Sequence, residues 1–270
     1  MSALNEPTLA WEPLTPRGVA AFARASLERL LIVQGVFAAL AAACVVWFFS
    51  DGIFPVIDSV IGQLPDRGEI RVGKLNWQED SPVLLAENNL LAVGVNLEHD
   101  GTLRSPADFQ LEFGKNSVLV FSLFGEGEVF YPSDFTFALN QRESRAAWGA
   151  WSPEILALVA IGTFFGLLLI WALLATLYFL PVWLISFFYN RDLNLLASWK
   201  LAAASLMPGA LLMSTAIVLY ELGAFDLVQF CFAAGLHLVI GWVYLFVGPV
   251  FLQRVLSAEK KNPFTGAVKD

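Results

Sequence analysis

Apolar and polar positions follow two different periods along this chain, and the change of period divides it. From Leu30 to Ser50 the run LLIVQGVFAALAAACVVWFFS carries no charge. About 20 apolar residues rising 1.5 Å each cross a ~30 Å hydrocarbon layer, so residues 30–50 are predicted as a first transmembrane helix. Beyond it Ile53, Ile57, Val60, Ile61 and Leu64 recur every three or four positions. This predicts a short amphipathic helix, with Pro55 tolerated in its first turn.

The period then falls to two. Ile70 and Val72 alternate with Glu69 and Arg71, but Leu75 and Trp77 take the opposite phase. A one-residue slip moves side chains to the other face of a strand, which predicts a bulge or tight turn at Gly73-Lys74. Further strands are predicted over 90–98, 108–113, 117–123, 128–131 and 134–139. The expected turns are Asn88-Asn89, His99–Thr102, Gly114–Asn116 and Gly125–Gly127.

Apolar character returns after Ser152-Pro153-Glu154, a hydroxyl cap, an N1 proline and a first-turn carboxylate that together mark a helix start. The following run is too long for one crossing and too short for two. Pro181 is expected to divide it into a crossing over 154–180 and an interfacial segment over 182–199. Two more crossings are predicted over 201–221 and 227–251.

The predicted fold class is thus an α+β membrane protein, four transmembrane helices with a small β-rich extracytoplasmic domain inserted between helices 1 and 2. Its parts are a cytoplasmic segment 1–29, helix 1 over 30–50, the β domain with its leading helix over 51–150, helices 2–4 over 151–251 and a cytoplasmic tail 252–270. Trp47, Trp148, Trp151, Trp183 and Trp199 fall where an interfacial aromatic belt belongs.

Charge sets the expected orientation. Arg17, Arg24 and Arg29 lie in the lead-in, Arg191 and Lys200 flank the 188–200 loop, and Arg254, Lys260, Lys261 and Lys269 lie in the tail. Basic residues gather on the cytoplasmic side, so both termini are expected there, in the inner (plasma) membrane, with the β domain periplasmic or extracellular. LAAAC at 40–44 would suit a cleaved lipoprotein signal, but Ala41 stands where a large aliphatic residue belongs and the apolar run continues to Phe49. An uncleaved anchor is the expectation.

Composition agrees with membrane residence: 57% of the 270 residues are hydrophobic and only 15% charged, with a formal net charge of −8. That balance, without a Lys/Arg tract, argues against nucleic acid. The two cysteines, Cys44 and Cys231, lie inside apolar runs and read as small apolar fillers.

No metal-ligand spacing, nucleophile elbow or phosphate-cradling loop occurs, so no catalytic residue, metal or cofactor is expected. His237, near the middle of the fourth crossing, is the one candidate cofactor ligand, for a haem or other pigment. The alternative is a neutral imidazole hydrogen-bonded to Gln34, Ser205, Ser214 or Thr215. Gly162 and Gly166 match the small-x-x-x-small pattern, and with Gly235 and Gly241 are expected at close helix contacts. Glu87, Glu98, Asp100 and Asp108 read as a solvated acidic surface rather than a cation site.

The segments FPVIDSVIGQLPDRGEIRVGKLNW and LLAENNLLAVGVNLEHDG, with the order anchor, outward β domain and carboxy-terminal crossings, resemble an uncharacterised family of bacterial integral membrane proteins. Some of its members are labelled maltodextrin-utilisation proteins. The resemblance implies the architecture above and transfers no active-site residue. The leading expectation is a non-enzymatic accessory subunit or envelope-facing sensor, in contact with the lipid bilayer and a membrane-protein partner through its β domain. A small transporter or channel component, and a haem- or pigment-associated subunit using His237, are the alternatives.

Overall fold

The computed structural model describes residues 12–134 and 136–254. Phe135, the first part of the lead-in and the tail from 255, with its lysines, lie outside the described residues. Among the described residues, four helices are long and apolar enough to cross a membrane, over Leu27–Gln63, Gln141–Phe188, Leu195–Glu221 and Leu227–Phe251. The strands among the described residues, eight in all, lie between the first and second of them, so the fold is α+β with a sheet domain inserted between helices. The chain divides into two compact units, one holding Met1–Val36, Leu168–Ala210 and His237–Asp270, the other Phe37–Leu167 and Leu211–Leu236.

The first unit contains α1 (Pro16–Ala21), capped by the Thr15 hydroxyl, and α5 (Leu195–Ser205), capped by Asn194. Leu201, Ala202, Ala203 and Ala204 are fully buried; small side chains let neighbouring helices approach this element on all sides. The lead-in, the 189–194 loop and the last described residues meet here. Lys200 donates to the Ala25 carbonyl at 2.6 Å, Tyr244 donates to that of Leu14, and Arg191 donates to that of Leu252 while its backbone bridges Arg254.

The second unit contains the sheets. Helix α2 (Leu27–Trp47) enters it and continues without a break through a π-helical turn, Phe48–Ile53, into α3 (Phe54–Gln63). Pro55 explains the wide turn. It has no N–H to donate and its ring crowds the carbonyl four residues back, so the ladder loosens there by one residue. Strands β1 (Gly68–Arg71) and β2 (Lys74–Trp77) form a hairpin in which Arg71 faces Lys74. The predicted phase slip is therefore a two-residue turn, Val72-Gly73, with both φ angles positive, 51° and 69°. A third strand, β8 (Thr136–Ala138), pairs with β1.

The larger sheet has the order β3-β4-β5-β6-β7, from Val83–Glu87, Leu91–Val95, Phe109–Phe113, Ser117–Ser122 and Gly125–Phe130. Only β4 and β5 run parallel. Helix α3 packs lengthwise on one face: Val56 meets Leu91 and Val93 near one end, and Leu64, just past the helix, meets Val95 and the β1–β2 hairpin near the other.

Several boundaries differ from expectation. The second long helix, α4 (Gln141–Phe188), begins at Gln141 and not at Ser152, because Asn140 already caps it: the Glu143 N–H donates to the Asn140 side chain at 3.0 Å, and the Asn140 side-chain amide donates to the Glu143 carboxylate at 3.3 Å. It runs through Pro181 to Phe188, so residues 182–188 are helix rather than an interfacial segment, with Val182 and Ser186 buried. An apolar helix absorbs one missing backbone bond when its flanks stay helical. The third span is kinked into α5 and α6 (Met207–Glu221), with Pro208 in the first turn of α6; the fourth is α7 (Leu227–Val247) with a 3₁₀ turn to Phe251. The turn expected at Gly125–Gly127 falls instead on Leu123-Phe124, since Ser122 pairs with Gly125.

Candidate functional site

Three groups of polar side chains stand out in the sheet unit. The first joins the sheet to the helix ends. Tyr220, on the last turn of α6, donates its hydroxyl proton to Asp108 at 2.8 Å, and Asn88 donates to the carbonyl of Gly52 at 2.6 Å. The Tyr220 ring stacks between Phe48 and Phe230, with centroids 6.0 and 4.7 Å away. Leu90 and Leu227 complete a buried apolar joint. A Cβ on Gly52 would stand 2.7 Å from the end of the Leu90 side chain, so a larger residue there would push that leucine aside.

The second group braces the loop 96–105 against β5 and β6. Glu112 is 1% exposed and its carboxylate lies 2.8 Å from His99 Nδ1. Its other oxygen accepts from Gln110, whose amide also donates to Leu103 and accepts from the Ser105 N–H. The His99 backbone is left-handed, φ 50°, and its ring lies so close over Gly114 that a Cβ there would meet Nε2 at 1.8 Å. Asn96, also buried, donates to Asp100 at 2.9 Å. The Thr102 hydroxyl, then its N–H, then Asn96 hold the Asp100 carboxyl below its ordinary value.

Ser117, His99 and Glu112 stand in the order of a hydrolase relay, with Ser117 Oγ 3.4 Å from His99 Nε2. The hydroxyl, however, donates to Glu128 at 2.7 Å, and Ser117 is 2% exposed. A nucleophile must reach its substrate and give its proton to the base; this serine does neither. The group forms a polar clasp between the loop and the two strands.

The third group lines a cleft of about 710 Å³ over the three-stranded sheet and the start of α4. Asp66, Glu69 and Glu143 bring three carboxylates to it against one guanidinium, Arg67, and Trp77 supplies an aromatic wall. Glu69 and Asn76 face each other in register, the amide donating to the carboxylate at 3.3 Å. Polar recognition groups converging beside an aromatic ring suit a bound polar partner.

The residues singled out by sequence are scattered. The backbone carbonyl of His237 lies 2.5 Å from where a Cβ on Gly209 would stand. Gln34 donates to Ala203, Ser205 to Ala202 and Thr215 to Leu211, so none of these three uses that bond on His237. A Cβ on Gly162, Gly166 or Gly235 would meet nothing within 4 Å, whereas on Gly241 it would meet Leu206 at 3.7 Å. The close helix approach expected of the first three is made instead at Gly209.

The indole edges differ too. Trp148 packs edge-on against Phe54, Trp183 stacks on Phe187, and Trp199 donates to Thr176 at 3.0 Å; Trp151 is 63% exposed and Trp47 half-buried. Of the acidic residues, Glu87 accepts from Ser105, while Asp100 and Asp108 serve the two groups above.

Glu112, Ser117 and the cleft residues escaped sequence reading. Gln110 and Glu112 alternate with Phe109, Leu111 and Phe113, which marks them for the solvent face. The loop covers that face, so Gln110 and Glu112 are more buried than Phe109, at 6%, 1% and 37%. No protein-family model, curated protein or solved structure matches this chain.

Proposed function

We propose that the chain is a multi-pass membrane protein whose β domain faces outward and captures a protein partner through the acidic cleft, as an accessory subunit or envelope-facing sensor. The observation that carries this reading is the 710 Å³ cleft with its three carboxylates, one guanidinium and the Trp77 wall. That balance favours a basic, polar segment of the partner, and Asn140, which caps α4 at its rim, connects occupancy to a helix start. The basic residues support that orientation: Arg17, Arg191, Lys200 and Arg254 belong to the unit that gathers the lead-in, the 189–194 loop and the chain's last described residues.

A photo-crosslinking residue at Asn76, expressed in native membranes, tests the proposal. Expected are discrete adducts with one partner, lost in a Glu69→Lys/Glu143→Lys variant that still folds. A monomer that gives no adduct at native abundance overturns the reading.

A further inference from the structure

We propose that the β6–β7 hairpin dips its tip, Leu123-Phe124, into the lipid beside the bundle, giving the β domain a second contact with the bilayer away from the helices. This rests on the membrane reading above and extends it to a named lipid-contacting element. Leu123 is 62% exposed and Phe124 71%. Neither residue has a positive φ, the turn's one positive-φ position being Gly125 at 121°, so most residue types fit at 123 and 124 and the turn itself does not call for an apolar pair. Ser122 already supplies the local turn bond, accepting from the Phe124 N–H at 3.2 Å.

The strand register fixes where this tip lies. Gly125 pairs with Ser122, and Ser122 pairs with Phe109. The Phe109 N–H donates to the Leu90 carbonyl, and the preceding residue, Asp108, takes the Tyr220 hydroxyl at the end of α6. The tip is thus level with the helix end, at the edge where Leu90 packs on Tyr220 and Leu227. The other end of the hairpin, where Ser117 pairs with Phe130, is five residues up the strand. It lies on the side where α3 has already carried the chain to Leu64.

Adjacent strands are about 4.8 Å apart, so β6 and β7 stand roughly 5 and 10 Å to the side of β5. Helix α3 packs on β3, β4 and the Leu111 and Phe113 side chains of β5, and the hairpin extends past it. An apolar pair at helix-end level, displaced sideways beyond the protein's own cover, meets the headgroup and acyl boundary. Aromatic and aliphatic side chains enter that boundary by about 5–10 Å while polar neighbours stay with the headgroups; Ser122 and Glu126 take that second role. A second copy of the chain, or a protein partner seated on the tip, are the rival occupants.

Full-length protein with Cys44→Ala and Cys231→Ala is reconstituted in phosphatidylcholine vesicles, with single Phe124→Cys and Leu123→Cys variants carrying an environment-sensitive dye. Leu158→Cys, on a 70% exposed position of α4, and Lys115→Cys, at the opposite end of the sheet, are the references. The expected result is a blue-shifted emission at 123 and 124, lost on adding doxyl-phosphatidylcholine as it is at 158, and insensitive to iodide. Position 115 behaves oppositely.

Quenching of 123 and 124 by iodide overturns the proposal. Protection from both quenchers overturns it as well, since protein then covers the tip. If the label at 158 itself is not quenched by doxyl lipid, the membrane reading fails and this inference with it; lipid quenching at 158 alone isolates the failure to the tip.

Discussion

The Tyr220 hydroxyl and the Asp108 carboxylate, 2.8 Å apart and 112 residues apart in sequence, tie the last turn of α6 to the entrance of β5. A hydrogen bond to a charged acceptor contributes about 1.5–3 kcal/mol. Tyr220→Phe keeps the stacked ring and removes only this bond. The expected outcome is faster amide exchange at Phe109 and Leu90 with the rest of the sheet unchanged, read by hydrogen exchange in detergent.

Gly209 and His237 predict a contrast among glycines. Gly209→Ala places a methyl 2.5 Å from the His237 carbonyl, and overpacking of this kind costs about 1–3 kcal/mol. Gly162→Ala and Gly166→Ala meet open space and are expected to leave the melting temperature of the monomer within a degree or two, since surface changes stay within about ±0.5 kcal/mol. Thermal melts of the three variants make the comparison.

His99 and Glu112 predict strong coupling. Removing either partner leaves a buried polar group unpaired, and contacting residues typically couple by about 0.5–3 kcal/mol. A double-mutant cycle of His99→Ala and Glu112→Ala should therefore show the double variant much less destabilised than the sum of the singles. Additivity would mean that the His99 and Glu112 side chains carry no coupling energy between them.

Two groups outside the helices set a pH window. Asp100 has its carboxyl held down in the folded domain, so its anchoring of Thr102 and Asn96 is complete above the ordinary carboxylate range and is lost as pH falls through the lowered folded value. Burial pushes the Tyr131 phenol up, and it donates to Gly114 at 3.0 Å. Its contribution is complete below the ordinary tyrosine value of about 10 and is lost as pH rises beyond that. Asp100→Asn should flatten the acid limb of a stability profile and Tyr131→Phe the alkaline limb, each without touching the other.

Much of this was legible in the sequence where one physical signal acts alone. Uninterrupted apolar length gave the long helices, and the phase slip between Val72 and Leu75 located a turn that the positive φ of Val72 and Gly73 makes definite. Competing signals mislead. Ser152-Pro153-Glu154 has the chemistry of a helix start, but Asn140 caps earlier and the helix passes through both prolines. Strand β3 carries Leu84, Leu85 and Ala86 without alternation because a bulge between Leu84 and Ala86 shifts the register. The His99 clasp joins a turn to strand residues 13 and 18 positions away, and alternation alone cannot show that a loop covers the outer face of a strand.

The π turn at Phe48–Ile53 has a mechanical consequence. It lets α2 continue into α3 with no linker, and on the other side β8 is followed within two residues by the cap of α4. A domain hung between two helical rods cannot swivel like a bead on a string. With no linker between them, any bending of α3 against α2 has to be taken up at that π turn.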